Sequence, residues 1–293
     1  MSEEILINVT PRETRVALVE NGVLQEVYIE RARRRGLVGK VYRGNVCRVL
    51  PGMQAAFVDS GLERAAFLHA SDVSVRNVDD ESGGDTPLAD IAQLLHEGQQ
   101  SSVQVIKDPL GTKGARLTTQ ITIPSRYLVF IPNVDNVGIS QKIEDEQERV
   151  RLRDIIQLFM TDQDGGGYIA RTAAEGASAD ALRADMMFLS KLWQSVSETE
   201  ATAQAGSVIY DDLPLTIRVM RDMLDSQIER VRIDSRESYQ RAQAFCNRFM
   251  PELETQVEYY PGERPIFDIY GIEDEIEKAL ERKVQLKSGG YLV

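Results

Sequence analysis

GKVYRGNVCRVLPGMQAAFVDSGLERAAFLHASD, running from Gly39 to Asp72, is the stretch that decides the fold. Apolar residues recur through Val41, Val46 and Val49, Pro51-Gly52 marks a turn, and a second strand runs through Ala55, Phe57 and Asp59 to a turn at Gly61. Short strands with turns at such intervals predict a closed or sandwiched β module. No acidic residue falls between Glu30 and Asp59, whereas Arg31, Arg33, Arg34, Arg35, Lys40, Arg43 and Arg48 all do. One end of the module is therefore expected to be strongly positive, an electrostatic footprint for phosphate.

Phe57 and Phe67 fall in neighbouring predicted strands. Exposed beside cations, each ring could stack on an unpaired base for roughly 1–3 kcal/mol; buried, both are ordinary core, the commoner fate of Phe. Lys113, between Thr112 and Gly114 in a tight loop, is either a cation that meets phosphate beside the barrel or a solvated lysine.

Working outward, 293 residues with 42% hydrophobic content can bury more than one core, and the length suggests about two or three domains. No apolar run approaches the roughly 18 residues needed to span a membrane, and MSEEILINV lacks the basic and apolar regions of a secretory signal. Cys47 and Cys246 stand apart, and neither they nor His69 and His96 have metal-ligand spacing. The net charge of -12 argues against nucleic acid only as a sum. Residues 1–130 carry 15 Lys and Arg against 16 Asp and Glu, so the acidic excess lies in the second half.

The opening segment predicts three short strands, with Glu20-Asn21-Gly22 turning a hairpin. Residues 79–87 (DDESGGDTP) read as a loop insertion before a helix-like IAQLLHEGQQ, and SVQVIKD with LGTKG completes the barrel pattern. Beyond Ile121, RYLVFIP reads as a buried strand and EDEQERVRLRDIIQLFM as a helix with acids in its first turn. A break at 162–167, a strand GYIART and a helix SADALRADMMFLSKLWQSVSETEA follow, with Leu182, Met186, Leu189 and Trp193 on one face. Further helices are predicted over 215–224, over SYQRAQAFCNRFM and over IEDEIEKALERKVQL. Arg171-Thr172 ends the GYIART strand. A planar guanidinium fork beside a hydroxyl suits a terminal phosphate, although an ordinary ion pair is the simpler reading of the dipeptide alone. Asp211-Asp212 and Asp222 with Asp225 read as solvated helix surfaces.

Four segments, PGMQAAFVDSGLERAAFLH (51–69), DPLGTKGARLTT (108–119), IARTAAEG (169–176) and LKSGGYLV (286–293), together resemble the bacterial ribonuclease E and G family, nearest its G branch. That resemblance implies an α+β, multidomain fold. A ribonuclease-H-like domain from residues 1–38 and 210–280 would be interrupted by an OB-fold RNA-binding module at 39–120 and an α/β 5′-phosphate sensor region at 121–209. Residues 281–293 would open a nuclease domain. It implies that Phe57, Phe67 and Lys113 grip single-stranded RNA, and that Arg171 and Thr172, with a supporting contact from Val129, receive a 5′-monophosphate. Gln141-Lys142 stands where other members carry arginines.

With no membrane span and no secretory signal read in the sequence, a cytoplasmic protein is expected; for the intact protein the resemblance implies a homo-oligomeric, Mg²⁺-dependent endoribonuclease acting on ribosomal RNA precursors and messenger RNA. The family's metal-binding aspartates lie beyond the strand after SGG. No catalytic or metal residue is therefore assigned here, and the 293-residue chain is expected to be catalytically incomplete. The alternative is a non-catalytic RNA-binding adaptor.

Overall fold

The computed structural model describes residues 2–73, 90–160, 165–224, 227–286 and 288–293. The predicted loop at 79–87, the start of the predicted break at 162–164, and Asp225 lie outside the described residues. The chain forms two compact units, one of residues 36–212 and one of residues 1–35 with 213–293.

The chain opens with β1 (Glu3–Val9), β2 (Glu13–Glu20) and β3 (Val23–Arg31), paired antiparallel in sequence order. The predicted hairpin forms at Asn21-Gly22, with φ of 49° and 78°. Two successive positive φ values match the twist of the flanking strands, and Asn and Gly tolerate them best. Ile5, Leu6 and Ile7 are all buried, so β1 is covered on both faces.

The barrel follows, from β4 (Val41–Leu50), β5 (Ala55–Asp59), β6 (Ala66–His69), a short α1 (Ile91–Leu94), β7 (Gln100–Lys107) and β8 (Arg116–Thr118). The strands run β4-β5-β6-β8-β7, and β7 pairs back onto β4 to close a five-stranded, OB-like barrel. Closure removes the sheet edges. Its interior holds Val46, Ala56, Val58, Leu68, Val105 and Leu117, lidded by Ile91 and Leu95.

Two local predictions change here. The apolar series Val41, Val46 and Val49 changes face once: Val41 lies on the opposite side from Val46, and the β4–β5 register shift between Val46 and Arg48 turns Arg48 outward and brings Val49 to the inward side with Val46. The helix expected over 91–100 stops at Leu94, since Leu95 is extended and Gly98 takes φ 82° before β7 begins.

The rest of this unit contains β9 (Ile123–Pro124), β10 (Leu128–Pro132), β11 (Val137–Ile139), α2 (Glu146–Phe159), β12 (Gly166–Ala170), α3 (Ala179–Thr202) and β13 (Val208–Tyr210). Four strands form a sheet ordered β11-β12-β10-β9, while β13 adds to β4. Asp145 and Ser178 cap the two helices through their side chains, satisfying N–H groups that the first turn leaves unpaired. Leu152 and Ile156 bury one side of α2, and Leu182, Met186 and Leu189 bury one side of α3. Trp193 packs on Phe130 with ring centroids 5.8 Å apart.

The chain then supplies α4 (Leu215–Met223), β14 (Ile228–Ile233), α5 (Arg236–Phe249), β15 (Val257–Tyr259), α6 (Ile266–Ile269), α7 (Ile272–Ala279) and a small β16 (Val284–Gln285)–β17 (Tyr291–Leu292) pair. β14 pairs parallel with β1, and β15 parallel with β14, giving a mixed sheet ordered β15-β14-β1-β2-β3. Leu6, Ala17 and Val19 pack with Ile266, Phe267 and Ile272 of α6 and α7. Asp211 and Asp212 precede α4 rather than lying on a helix, because Pro214 sets the helix start.

Candidate nucleic-acid interface

Strand register builds one face of the barrel. Arg48 of β4 pairs with Phe57 of β5, Phe57 with Phe67 of β6, Phe67 with Arg116 of β8, and Arg116 with Lys107 of β7. Paired residues project to the same side of a sheet. The result is a row of cation, two aromatic rings, and two cations across five strands. The inward residues on β5 are Ala56 and Val58, and on β6 Ala66 and Leu68, so both Phe side chains point away from the core and are half-buried. Their rings meet edge to face with centroids 6.2 Å apart, and His69 lies 6.4 Å beyond Phe67. His69 also holds Ser71 through Nδ1 at 2.8 Å.

Lys113 projects from a tight loop whose backbone closes on itself, Lys113 N–H donating to Leu110 O at 3.0 Å and Leu110 N–H to Lys113 O at 3.2 Å. Arg64 clamps the loop by donating to Gly111 O at 2.6 Å. Gly114 makes the close approach possible: a Cβ there would sit 2.2 Å from Ala65 O. One residue on, Ala115 O accepts from Phe67 N–H at 2.7 Å, which ties the Lys113 loop to the strand that carries the aromatic row.

The positive end expected from the cationic run is smaller than the sequence suggests. Arg31 to Arg35 belong to the other unit. Lys40 pairs with Asp211 at 3.0 Å, Arg43 with Glu200 at 3.5 Å, and Arg116 with Asp72 at 2.8 Å. Arg48 and Lys107 are exposed and have no ion-pair partner among the described residues. Of the three cations in the row, Arg48 beside Phe57 and Lys107 at the far end are the ones left for a polyanion, while Arg116 is held by Asp72.

A second site lies on the four-stranded sheet. Val129 of β10 pairs with Ile169 of β12, which pairs with Gly138 of β11, forming a shallow apolar shelf with Ile169 37% exposed. Arg171, two residues beyond Ile169 and still extended, continues on that side; β12 itself ends at Ala170, earlier than predicted. Arg171 N–H donates to Tyr127 O at 2.8 Å and its guanidinium donates to Ser125 O. Thr172 Oγ1 contacts Ser140 Oγ at 3.3 Å, and Lys142 N–H donates to the same Ser140 hydroxyl at 3.4 Å. The structure thus brings Val129, Arg171, Thr172 and the Gln141-Lys142 segment to one end of one sheet.

The turn beneath Arg171 is set by Asp185, only 8% exposed on α3. Its carboxylate accepts from Ser125 Oγ at 2.5 Å, Tyr127 N–H at 2.9 Å and Leu128 N–H at 3.0 Å. On the other side, Glu148 of α2 takes two bonds from Arg151, each 2.6 Å, and one from Gly176 N–H at 2.9 Å. The Arg151 fork, helped by Gly176, holds the Glu148 carboxyl at about 2 despite the opposing effect of burial.

Among the described residues no three His, Cys, Asp or Glu side chains converge to hold a metal. Asp222 pairs with Arg221 at 2.6 Å and Glu30 with Arg218 at 2.6 Å. Among the described residues no helix is long and apolar enough to cross a membrane.

A family model for the ribonuclease E/G family matches residues 122–293. The chain belongs to the ribonuclease E/G family. Over 295 aligned residues it is 51% identical to ribonuclease G of Salmonella typhimurium (strain SL1344) and, equally, to ribonuclease G of Escherichia coli (strain K12), covering 100% of this chain and 60% of each relative. It is 35% identical over 294 residues to ribonuclease E of Haemophilus influenzae, covering 99% of this chain and 31% of that protein. The chain therefore spans about 60% of the length of the ribonuclease G proteins it matches.

Within this ribonuclease E/G chain, sequence reasoning named Phe57, Phe67 and Lys113 but missed Lys107, Arg116 and His69 as their neighbours. Strand alternation alone puts His69 on the face of Phe67, whereas only register could have found Lys107 and Arg116, which meet across a shifted β7–β8 pairing. Asp185 was missed because a carboxylate inside an amphipathic helix reads as a solvated position until its three donors are seen.

Proposed function

We propose that this chain is the RNA-recognition and 5′-end-sensing part of an endoribonuclease of the G type. The observation that carries the proposal is the row Arg48–Phe57–Phe67–Arg116–Lys107, where two half-buried rings are bracketed by cations on the outer face of an OB-like barrel. Rings of this kind stack on unpaired bases whatever their identity, and the flanking charges follow the backbone, which favours single-stranded RNA. Lys113 adds a third contact beside Phe67.

The 5′-monophosphate is received by Arg171 and Thr172 against the Val129 shelf. Arg171 spends one donor on Ser125 O and keeps others for phosphate oxygens; Thr172 supplies a directional hydroxyl. Residues 1–38 with 210–280 act as a ribonuclease-H-like scaffold, a reading supported by the antiparallel β1-β2-β3 meander continued by parallel β14 and β15. The whole protein would cleave precursor ribosomal RNA and messenger RNA as a homo-oligomer. No hydrolytic step is assigned to residues 1–293.

The test is fluorescence anisotropy with short single-stranded RNA bearing a 5′-monophosphate or a 5′-hydroxyl. Binding that is steeply salt-dependent and favours the monophosphate supports the proposal. Salt-independent binding, or equal affinity for both ends, contradicts it. In a parallel assay the 293-residue chain with Mg²⁺ should not cleave the RNA. Cleavage surviving nuclease controls would overturn the assignment of catalysis elsewhere.

A further inference from the structure

Arg31 and Arg33, from the cationic run that the sequence assigned to the barrel, fall in the other unit and line a surface cavity there together with Arg12. Pro11 and Arg12 of the β1–β2 turn, Glu13 of β2, Arg31 at the end of β3, and Ala32 and Arg33 line a cavity of about 650 Å³. The turn is built rather than loose. Thr10 Oγ1 accepts from Arg12 N–H at 3.3 Å and Glu13 N–H at 3.1 Å, while its hydroxyl donates to Glu13 O at 3.0 Å. Ala32 N–H donates to Arg12 O at 2.9 Å and so fastens the segment that carries Arg33 to the one that carries Arg12.

The charges are poorly balanced. Glu13 is the one carboxylate lining the cavity, and it is divided between Arg31 at 3.6 Å and Arg15 at 3.9 Å. Arg12 and Arg33 are exposed and have no ion-pair or hydrogen-bond partner for their side chains among the described residues. Three guanidinium groups held around one concavity repel one another unless an anion joins them, and each offers a planar fork of donors that matches phosphate oxygens. Because the backbone is already fixed, binding has only the arginine side chains left to order.

We propose that the Arg12–Arg31–Arg33 cavity binds phosphate groups, as an anion site on the unit formed by residues 1–35 and 213–293. Phosphate could come from an RNA backbone or from a free polyphosphate. The RNA case rests on the function proposed above; the free-anion case does not.

The experiment compares the full 293-residue chain with an Arg12→Ala/Arg33→Ala double variant, and with Arg12→Lys/Arg33→Lys as a charge-preserving control. One arm titrates sodium tripolyphosphate by calorimetry. The other follows binding of a single-stranded RNA oligomer across a salt series. The Ala variant is expected to weaken tripolyphosphate binding at least roughly tenfold and to lower the RNA salt slope by about 1.4, at about 0.7 per lost phosphate contact. The Lys control is expected to keep the slope while losing part of the tripolyphosphate affinity. A tripolyphosphate effect with an unchanged RNA slope assigns the site to a free anion, and a slope change alone assigns it to the RNA backbone. No change in either arm, with melting temperature preserved, overturns the proposal. Phe57→Ala/Phe67→Ala should leave tripolyphosphate binding intact, so a failure of the barrel reading and a failure of this site remain separable.

Discussion

Asp185 and Ser125 stand 60 residues apart in the chain, yet the Asp185 carboxylate accepts the Ser125 hydroxyl at 2.5 Å. Two backbone N–H groups donate to the same carboxylate, and the carbonyl of the same Ser125 receives the Arg171 guanidinium. Removing this buried carboxylate leaves the Tyr127 and Leu128 N–H groups unsatisfied, while the Ser125 hydroxyl keeps Leu128 O as an acceptor at 3.0 Å. Asp185→Ala is expected to destabilise the protein by about 3 kcal/mol in urea denaturation and to blunt discrimination at the RNA 5′ end. A loss below about 0.5 kcal/mol, the range of ordinary surface changes, would contradict this role.

Arg171→Ala should abolish preference for a 5′-monophosphate while leaving affinity for 5′-hydroxyl RNA unchanged. Arg171→Lys should not restore it, because one ammonium cannot serve both Ser125 O and phosphate with the geometry of a planar fork. Competition anisotropy between the two oligomers reads the outcome, and a preference retained in the Lys variant would show that the fork is dispensable.

Glu148 gives a pH prediction. Its carboxyl is held at about 2, from an ordinary value of 4.5, first by the Arg151 hydrogen bonds. A depressed folded-state pKa stabilises fully above the unfolded value, and that contribution is lost as pH falls from about 4.5 toward 2. Glu148→Gln should therefore cost stability at pH 7 and progressively less at pH values within that window. Denaturation midpoints for both proteins across the window check it; a constant difference at every pH would refute the pairing.

Gly114→Ala places a Cβ against a backbone carbonyl 2.2 Å away, an obstacle that cannot rotate aside. The Lys113 loop must lift from Ala65. RNA affinity should fall about as far as it does in Lys113→Ala, with far-UV dichroism unchanged. Wild-type affinity in Gly114→Ala would mean that the loop's position does not matter to binding.

Much of the fold was legible where local chemistry dictates it. Asn21-Gly22 marked the hairpin, and the acids opening α2 together with the apolar stripe of α3 marked those helices. The barrel was legible from alternating short strands, although its facing was not. A register shift at Cys47 reverses the parity of β4, and periodicity alone cannot see a bulge. Charge was the least legible property. Lys40 and Arg43 look like free cations until Asp211 and Glu200 arrive from more than 150 residues away. The pairing of β1 with β14 depends on contacts across some 220 residues and left no local trace.

The central claim is that the outer face of the barrel holds single-stranded RNA through its paired rings. The most direct measurement is the affinity of Phe57→Ala/Phe67→Ala for a short single-stranded RNA at fixed salt. A correctly folded double variant should bind at least roughly tenfold more weakly, since each lost stack is worth about 1–3 kcal/mol. Unchanged affinity in a variant with wild-type stability would contradict the account.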